Sequence, residues 1–153
     1  MTTTTLKDRL RADLTAAMKA RDELRSATIR MTLAAITTEE VAGKSARVLS
    51  DDEVLKVLGR EAKKRKEAAE AFAGAGRAEQ AAREEAEGEV IAAYLPAQLS
   101  EEDLAALVAQ AVAESGAEGP RGMGAVMKVL TPRVAGRADG GRVAAAVKAA
   151  LGS

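Results

Sequence analysis

Apolar side chains recur at intervals of three and four along most of this chain, the spacing that lines one face of an α-helix. Leu6, Leu10, Leu14 and then Ala17 or Met18 form such a stripe. They predict a first helix over residues 5–21, with Lys7, Arg9, Arg11 and Asp13 on its other faces. Residues 22–42 predict a second helix that is apolar on two sides. Leu24, Ala27 and Met31 form one stripe, and Ile29, Leu33 and Ile36 the other. So wide an apolar arc belongs to a helix central to a bundle. Gly43 is placed to stop it, and residues 44–49 read as a polar, mobile loop.

Ser50 with Glu53 three residues on is a capping box, and Asp51 and Asp52 suit the positive end of a helix dipole. The third helix that begins there has Val54, Leu55, Leu58, Ala62, Ala69 and Phe72 as its predicted buried face. Gly74-Ala75-Gly76 breaks it. A fourth helix over residues 77–95 is acidic early and apolar at Val90, Ile91, Tyr94 and Leu95. Pro96 stops it, because proline disfavours the α conformation in the residue before it. Pro96-Ala97-Gln98-Leu99 reads as a linker, giving an N-terminal domain over residues 1–96 and a second over 97–153. Ser100-Glu101-Glu102-Asp103 opens a fifth helix with Leu104, Leu107, Val108, Ala111 and Val112 as its stripe and Gly116 as its stop. A short helix follows with Met123, Val126, Met127 and Leu130, kinked or ended at Pro132 and closed by Gly136. Asp139 is the predicted N-cap of a last helix with Val143, Val147, Ala150 and Leu151. No strand-like alternation and no internal repeat is found. The fold class is therefore all-α: a bundle of about four helices, then a module of three.

Composition narrows the chemistry. The chain of 153 residues has no His, no Cys and no Trp, with Phe72 and Tyr94 its only aromatic residues. Thiolate nucleophiles, imidazole bases, disulfides and zinc sites of the usual N/S kind are excluded. Two rings make no stacking platform for single-stranded nucleic acid. Thirty-six alanines favour helix and bury little area each. No apolar run approaches a membrane span, and the first residues, Met1 to Asp8, lack the apolar core of a signal peptide. The expectation is a soluble, cytoplasmic monomer with no cofactor, no metal and no membrane partner.

Twenty-three basic and 23 acidic residues cancel, but not locally. Residues 56–66 carry net +5 and residues 67–89 net −5. Residues 97–119 hold five acids and no bases, whereas residues 120–153 hold six bases against Asp139 alone. The Lys56–Lys66 cluster could bind phosphates, but antiparallel pairing with the Glu-rich helix behind it accounts for it better. The basic end of the chain is either an anion-binding surface or a set of bases neutralised by helix 101–114. Gly136-Arg137-Ala138-Asp139-Gly140 could cradle a phosphate, yet Asp139 would occupy that position as an N-cap. Glu39/Glu40 and Glu84/Glu85/Glu87 read as solvated surface rather than acid–base or Mg²⁺ sites.

Several blocks taken together resemble the YqeY-like family, which shares a helical tail module with the B subunit of the tRNA-dependent amidotransferase. They are Leu24 to Met31, Leu58 to Ala68, Phe72 to Arg77, Tyr94-Leu95-Pro96-Ala97-Gln98-Leu99-Ser100, and Met123 to Met127 continuing through Pro132 to Gly140. The Tyr94–Ser100 block with Gly136-Arg137-Ala138-Asp139-Gly140 behind it is the specific pair. The resemblance implies an all-helical bundle joined to a three-helix module, and in the amidotransferase subunit a similar tail contacts the tRNA body. The family label of carbon–nitrogen ligase with glutamine as amido donor belongs, on this reading, to domains that this chain lacks. Family members often have lysine where this chain has Ala125 and Ala135.

The expected role is that of a non-catalytic tRNA-associated accessory protein that meets structured RNA by shape and phosphate contact. The residues expected to bind RNA are Arg121, Lys128, Arg133, Arg137 and Arg142, with Lys63 and Lys64 second. No catalytic residue is assigned. The competing expectation is an interaction module docking on an amidotransferase or another translation component. A third, amide transfer by the chain itself, would need a Ser/Lys arrangement drawn from Ser26, Ser45, Ser50, Ser100, Ser115 and Ser153.

Overall fold

The computed structural model describes residues 4–152. Residues 1–3, the start of the stretch read as lacking a signal peptide, and Ser153 lie outside the described residues. The described residues form seven α-helices and one 3-10 turn, in two compact units, Met1–Leu95 and Pro96–Ser153. In the first unit, α1 is Leu6–Lys19, α2 is Glu23–Glu40, α3 is Asp51–Gly74 and α4 is Ala78–Ala92. In the second, α5 is Glu101–Ser115, a 3-10 turn is Pro120–Gly122, α6 is Met123–Val134 and α7 is Gly140–Ala150. Each unit closes on its own core. Leu10, Ile29, Ile36, Val54, Leu58 and Ile91 fill the first. Leu104, Val108, Val126, Leu130, Val143 and Val147 fill the second.

Side-chain caps set most helix starts. Ser50 and Glu53 form the predicted capping box, and Thr5 forms another with Asp8. The N-cap backbone N–H donating to Asp8 and to Glu53 holds each carboxyl below its ordinary range. Their stabilisation is complete above the unfolded carboxylate pKa and is lost as pH falls through the lowered folded values. Asp22, Ser100 and Asp139 cap α2, α5 and α7 by accepting from the backbone N–H three residues on.

The connection between α1 and α2 is set by a residue the sequence does not flag. The Asp22 N–H donates to the Ala17 carbonyl at 2.9 Å and the Arg21 N–H to the Met18 carbonyl at 3.1 Å. That is the paired closure of a Schellman motif. Its left-handed position is filled by Arg21 at φ +56° rather than by glycine. A side chain there costs about 1–2 kcal/mol.

The buried faces differ from the predicted stripes in three ways. Met31 and Met18 are exposed. In α2 the interior face is Ser26, Thr28, Ile29, Thr32 and Ile36. Thr28 Oγ1 donates to the Leu24 carbonyl and Thr32 Oγ1 to the Thr28 carbonyl, both at 2.8 Å. With their hydroxyls satisfied inside the helix, these threonines pack like other β-branched side chains. In α3, Val57 is buried while Phe72 is only half-buried. Pro132 does not end α6, which runs on to Val134. It falls in the last turn, so its missing N–H leaves only the carbonyl of the exposed Lys128 without a helical donor.

Helix α4 ends at Ala92, earlier than predicted, and the next residues tighten into i→i+3 bonds at Tyr94 and Leu95. That turn aims the Tyr94 ring into the first core. Its hydroxyl donates to Asp13 of α1, and the Arg9 guanidinium lies 5.6 Å from the ring centroid. Burial, reinforced by the bond to Asp13, pushes the Tyr94 phenol up to about 12. A phenol raised in the folded state stabilises fully below its unfolded pKa and loses that contribution as pH rises through the folded value.

Two measurements check this reading. Arg21→Gly should raise the stability of the first unit by about 1 kcal/mol in urea unfolding. Gly122→Ala should lower that of the second by about 1–3 kcal/mol, because a Cβ there would lie 2.5 Å from Ala117 Cβ. Tyr94 is the only tyrosine. The tyrosinate absorbance should therefore titrate near 12 in the folded protein, return to about 10 in denaturant, and fall in Asp13→Asn.

Candidate nucleic-acid interface

The two most specific sequence blocks meet in the second unit. Gln98 Nε2 donates to the Gly136 carbonyl at 2.8 Å, and the Leu99 N–H donates to the Arg137 carbonyl at 2.8 Å. Arg142 Nη2 donates to the Leu99 carbonyl at 3.0 Å, and its Nε and Nη2 both reach Glu101 Oε1, at 2.9 and 2.6 Å. Gly136 at φ +71° turns the chain after α6, where the Arg137 N–H donates to the Val134 carbonyl at 2.8 Å. Asp139 then caps α7 by accepting from the Arg142 N–H at 3.1 Å. A Cβ on Gly141 would sit 3.1 Å from that capping oxygen. The Gly136–Gly140 loop is thus a helix–turn–helix junction, with the N-terminus of α7 occupied by its own aspartate.

This frame sorts the six bases of the C-terminal stretch. Arg142 is committed to Glu101 and the Leu99 carbonyl. Arg133 pairs with Glu114 of α5. The hydrogen bond between them holds the Glu114 carboxyl below its ordinary range and the Arg133 guanidinium above its own. The Glu114 contribution to stability is present above the unfolded carboxylate pKa and is lost as pH falls through the folded value. Arg121 and Lys128 are exposed, and neither makes an ion pair among the described residues. Arg137 is half-buried, and its Nη1 approaches the Arg133 carbonyl at 3.4 Å, a long contact that leaves the guanidinium without a carboxylate. Lys148 is also exposed, beside a pocket of about 280 Å³ lined by Pro120, Met123, Lys148 and Leu151. No sequence signal marks that pocket, because its walls come from the 3-10 turn, α6 and the C-terminal end of α7.

In the first unit Lys63 and Lys64 are exposed on α3, with Lys64 Nζ 3.6 Å from Glu61 Oε1. The charge compensation between α3 and α4 runs chiefly through Arg65. It lies 3.3 Å from Glu87, 3.8 Å from Glu84 and 3.6 Å from Glu61. Arg60 turns instead to Glu39 of α2, at 3.2 Å. Two carboxylates expected on solvated faces are not there. Glu87 is buried, held by Arg65 and by Arg83 at 3.2 Å. Glu40 has its side chain only 12% exposed and binds Lys7 at 2.7 Å. Both are drawn inward because a base from a neighbouring helix or turn reaches them.

Three of the candidate serines, Ser50, Ser100 and Ser115, serve the backbone. Ser50 and Ser100 are caps, Ser26 is buried in α2, and Ser115 Oγ donates to the Val112 carbonyl and accepts from the Ala117 N–H. Among the described residues no group of three acidic side chains is arranged to hold a metal ion, and no helix is long and apolar enough to cross a membrane.

A family model described as Yqey-like protein matches residues 7–151, nearly the whole chain. The chain belongs to the YqeY-like family. No curated protein matches it significantly. In this YqeY-like protein, Gln98 and Leu99 from one of the two specific sequence blocks and Gly136 and Asp139 from the other build the junction.

The junction predicts a structural role for Arg142. Arg142→Ala should destabilise the second unit by about 1.5–3 kcal/mol, the range for a hydrogen bond to a charged group. Arg142→Lys should not restore it, because an ammonium cannot reproduce the fork. Thermal unfolding followed by circular dichroism checks both.

Proposed function

We propose that this YqeY-like protein is a non-catalytic accessory protein that associates with a structured RNA such as tRNA, through the second unit. That unit would act as the counterpart of the amidotransferase tail module. The supporting observation is the set of cations left over when internal pairing is complete. Among the described residues Arg121, Lys128 and Arg137, like Lys148, have no carboxylate partner, whereas Arg133 and Arg142 do. Residues 96–153 contain no aromatic side chain, so base stacking is not available to them. Contact by phosphate and shape suits the helical RNA body better than splayed single strands. Charge within the unit is balanced as a whole, so the attraction is local to these side chains. Lys63 and Lys64 offer a second basic face on the first unit. Ser50 and Ser100 as caps, Ser26 as a buried residue and Ser115 as a turn residue favour the accessory role over amide transfer.

The test is a titration of labelled total tRNA at low and near-physiological salt, with duplex DNA of equal charge beside it. Preference for tRNA with a steep salt dependence is expected. Arg137→Ala keeps the backbone bonds of the junction and should weaken binding, lowering the salt slope by about one. Arg133→Ala with Arg137→Ala should weaken it further without unfolding. Glu114→Gln releases Arg133 and should strengthen binding, steepening the slope by about one. Equal binding of DNA, or none at physiological salt, would overturn the proposal.

A further inference from the structure

We propose that the pocket between the 3-10 turn and the end of α7 seats one large apolar side chain of a partner protein, presented from an acidic segment. Three of its four lining residues, Pro120, Met123 and Leu151, offer only apolar atoms, and the fourth is Lys148. Its volume, about 280 Å³, lies just under the range of small-molecule sites. That is room for one anchoring side chain and too little for a cofactor. Methionine adapts to the shape of such an anchor. The facing wall is fixed. Gly119 at φ +68° turns the chain, the Gly122 N–H donates to the Gly119 carbonyl at 3.0 Å, and Ala117 packs against Gly122 too closely to admit a Cβ.

Charge identifies the segment around the anchor. Lys148 is exposed with no ion pair among the described residues, and so is Arg121, next to the Pro120 wall. Carboxylates flanking the anchor would meet these two cations. An apolar anchor in a pocket surrounded by complementary charge is the usual anatomy of a small protein interface. A nucleobase fits less well. The lining offers a thioether, a pyrrolidine ring, an isobutyl group and one ammonium. No side chain there can read a base edge with paired donors and acceptors. The site shares Arg121 with the proposed RNA contacts, but none of its four lining residues is among them.

The probe is the peptide acetyl-Glu-Glu-Phe-Glu-Glu-amide, titrated into the full ¹⁵N-labelled chain and followed by amide chemical shifts. The controls are the same peptide with Ala for Phe and with Lys for every Glu. Shifts should gather at Arg121–Met123 and Val147–Leu151. Both control peptides and the variant Lys148→Glu should each weaken binding about tenfold or more. Arg137→Ala should leave it within about twofold. Lys148 is exposed, and the unperturbed spectrum of Lys148→Glu elsewhere verifies its fold. Absence of binding at low-millimolar peptide overturns the proposal, as does equal binding of the Ala control or shifts centred on Lys128 and Arg137. Loss of tRNA binding in Lys148→Glu with no peptide response would assign the patch to nucleic acid instead. Failure of the tRNA titration leaves the peptide result intact, so the two proposals fall separately.

Discussion

The guanidinium of Arg142 reaches the Leu99 carbonyl and Glu101 at once, and with Gln98 and the Leu99 N–H it ties residues 98–101 to the loop between α6 and α7. Three short helices have little area with which to fix their mutual position, and alanine-rich faces supply less still. Here the entering segment is held by three hydrogen bonds before α5 begins, and Glu101, the first residue of α5, accepts two more from Arg142. The Ser100 cap then starts α5 where the tie ends, and the Asp139 cap starts α7 from the same loop. Without the fork, the Leu99 carbonyl and one end of the junction would be left to solvent, and Leu99 would lose the constraint that places it in the core.

Local chemistry was the most legible part of the sequence. Ser50, Ser100, Asp139 and Gly116 act at the helix ends where their side chains or conformations put them, because a cap depends only on residues three or four apart. Face assignment was less legible. Met31 and Val57 exchange the places that hydrophobicity gave them, since the neighbours of each helix decide which arc is buried. Thr28 and Thr32 carry hydroxyls and belong to no apolar stripe, yet each returns its hydroxyl to its own helix and packs in the interior. The Thr5 box was unmarked because Asp8 stands where Glu or Gln is usual. Arg21 had no signal at all, since glycine is the residue that announces a left-handed closure.

The candidate site was legible as charge and not as geometry. Segment sums placed a basic end beside an acidic helix correctly, but they could not say which bases the helix takes. Among the described residues the structure takes Arg133 and Arg142 out of the set by pairing and leaves Arg121, Lys128, Arg137 and Lys148. The same holds in the first unit. The opposed charges of α3 and α4 suggested many surface pairs. One inward arginine, Arg65, carries most of the link, onto a buried Glu87 whose position no charge count could give.

These pairings bear directly on how strongly the second unit could hold a polyanion. Glu101 and Glu114 already present to Arg142 and Arg133 what a phosphate would, an anionic oxygen at hydrogen-bonding distance. An RNA must displace them or do without those two arginines. Displacing Glu114 breaks one exposed pair, which costs little. Displacing Glu101 would also strip the Leu99 tie of its partner and loosen the junction. The cheaper course is to contact only the unpaired cations and recruit Arg133 as salt falls. Affinity would then rest on about three or four phosphate contacts, weak at physiological ionic strength and steep in its dependence on it. On the proposed reading, a unit with so few unpaired cations and no aromatic ring would gain specificity mainly from the shape of its partner, so the rigidity of the Gln98–Arg142 junction would matter to recognition as much as to stability.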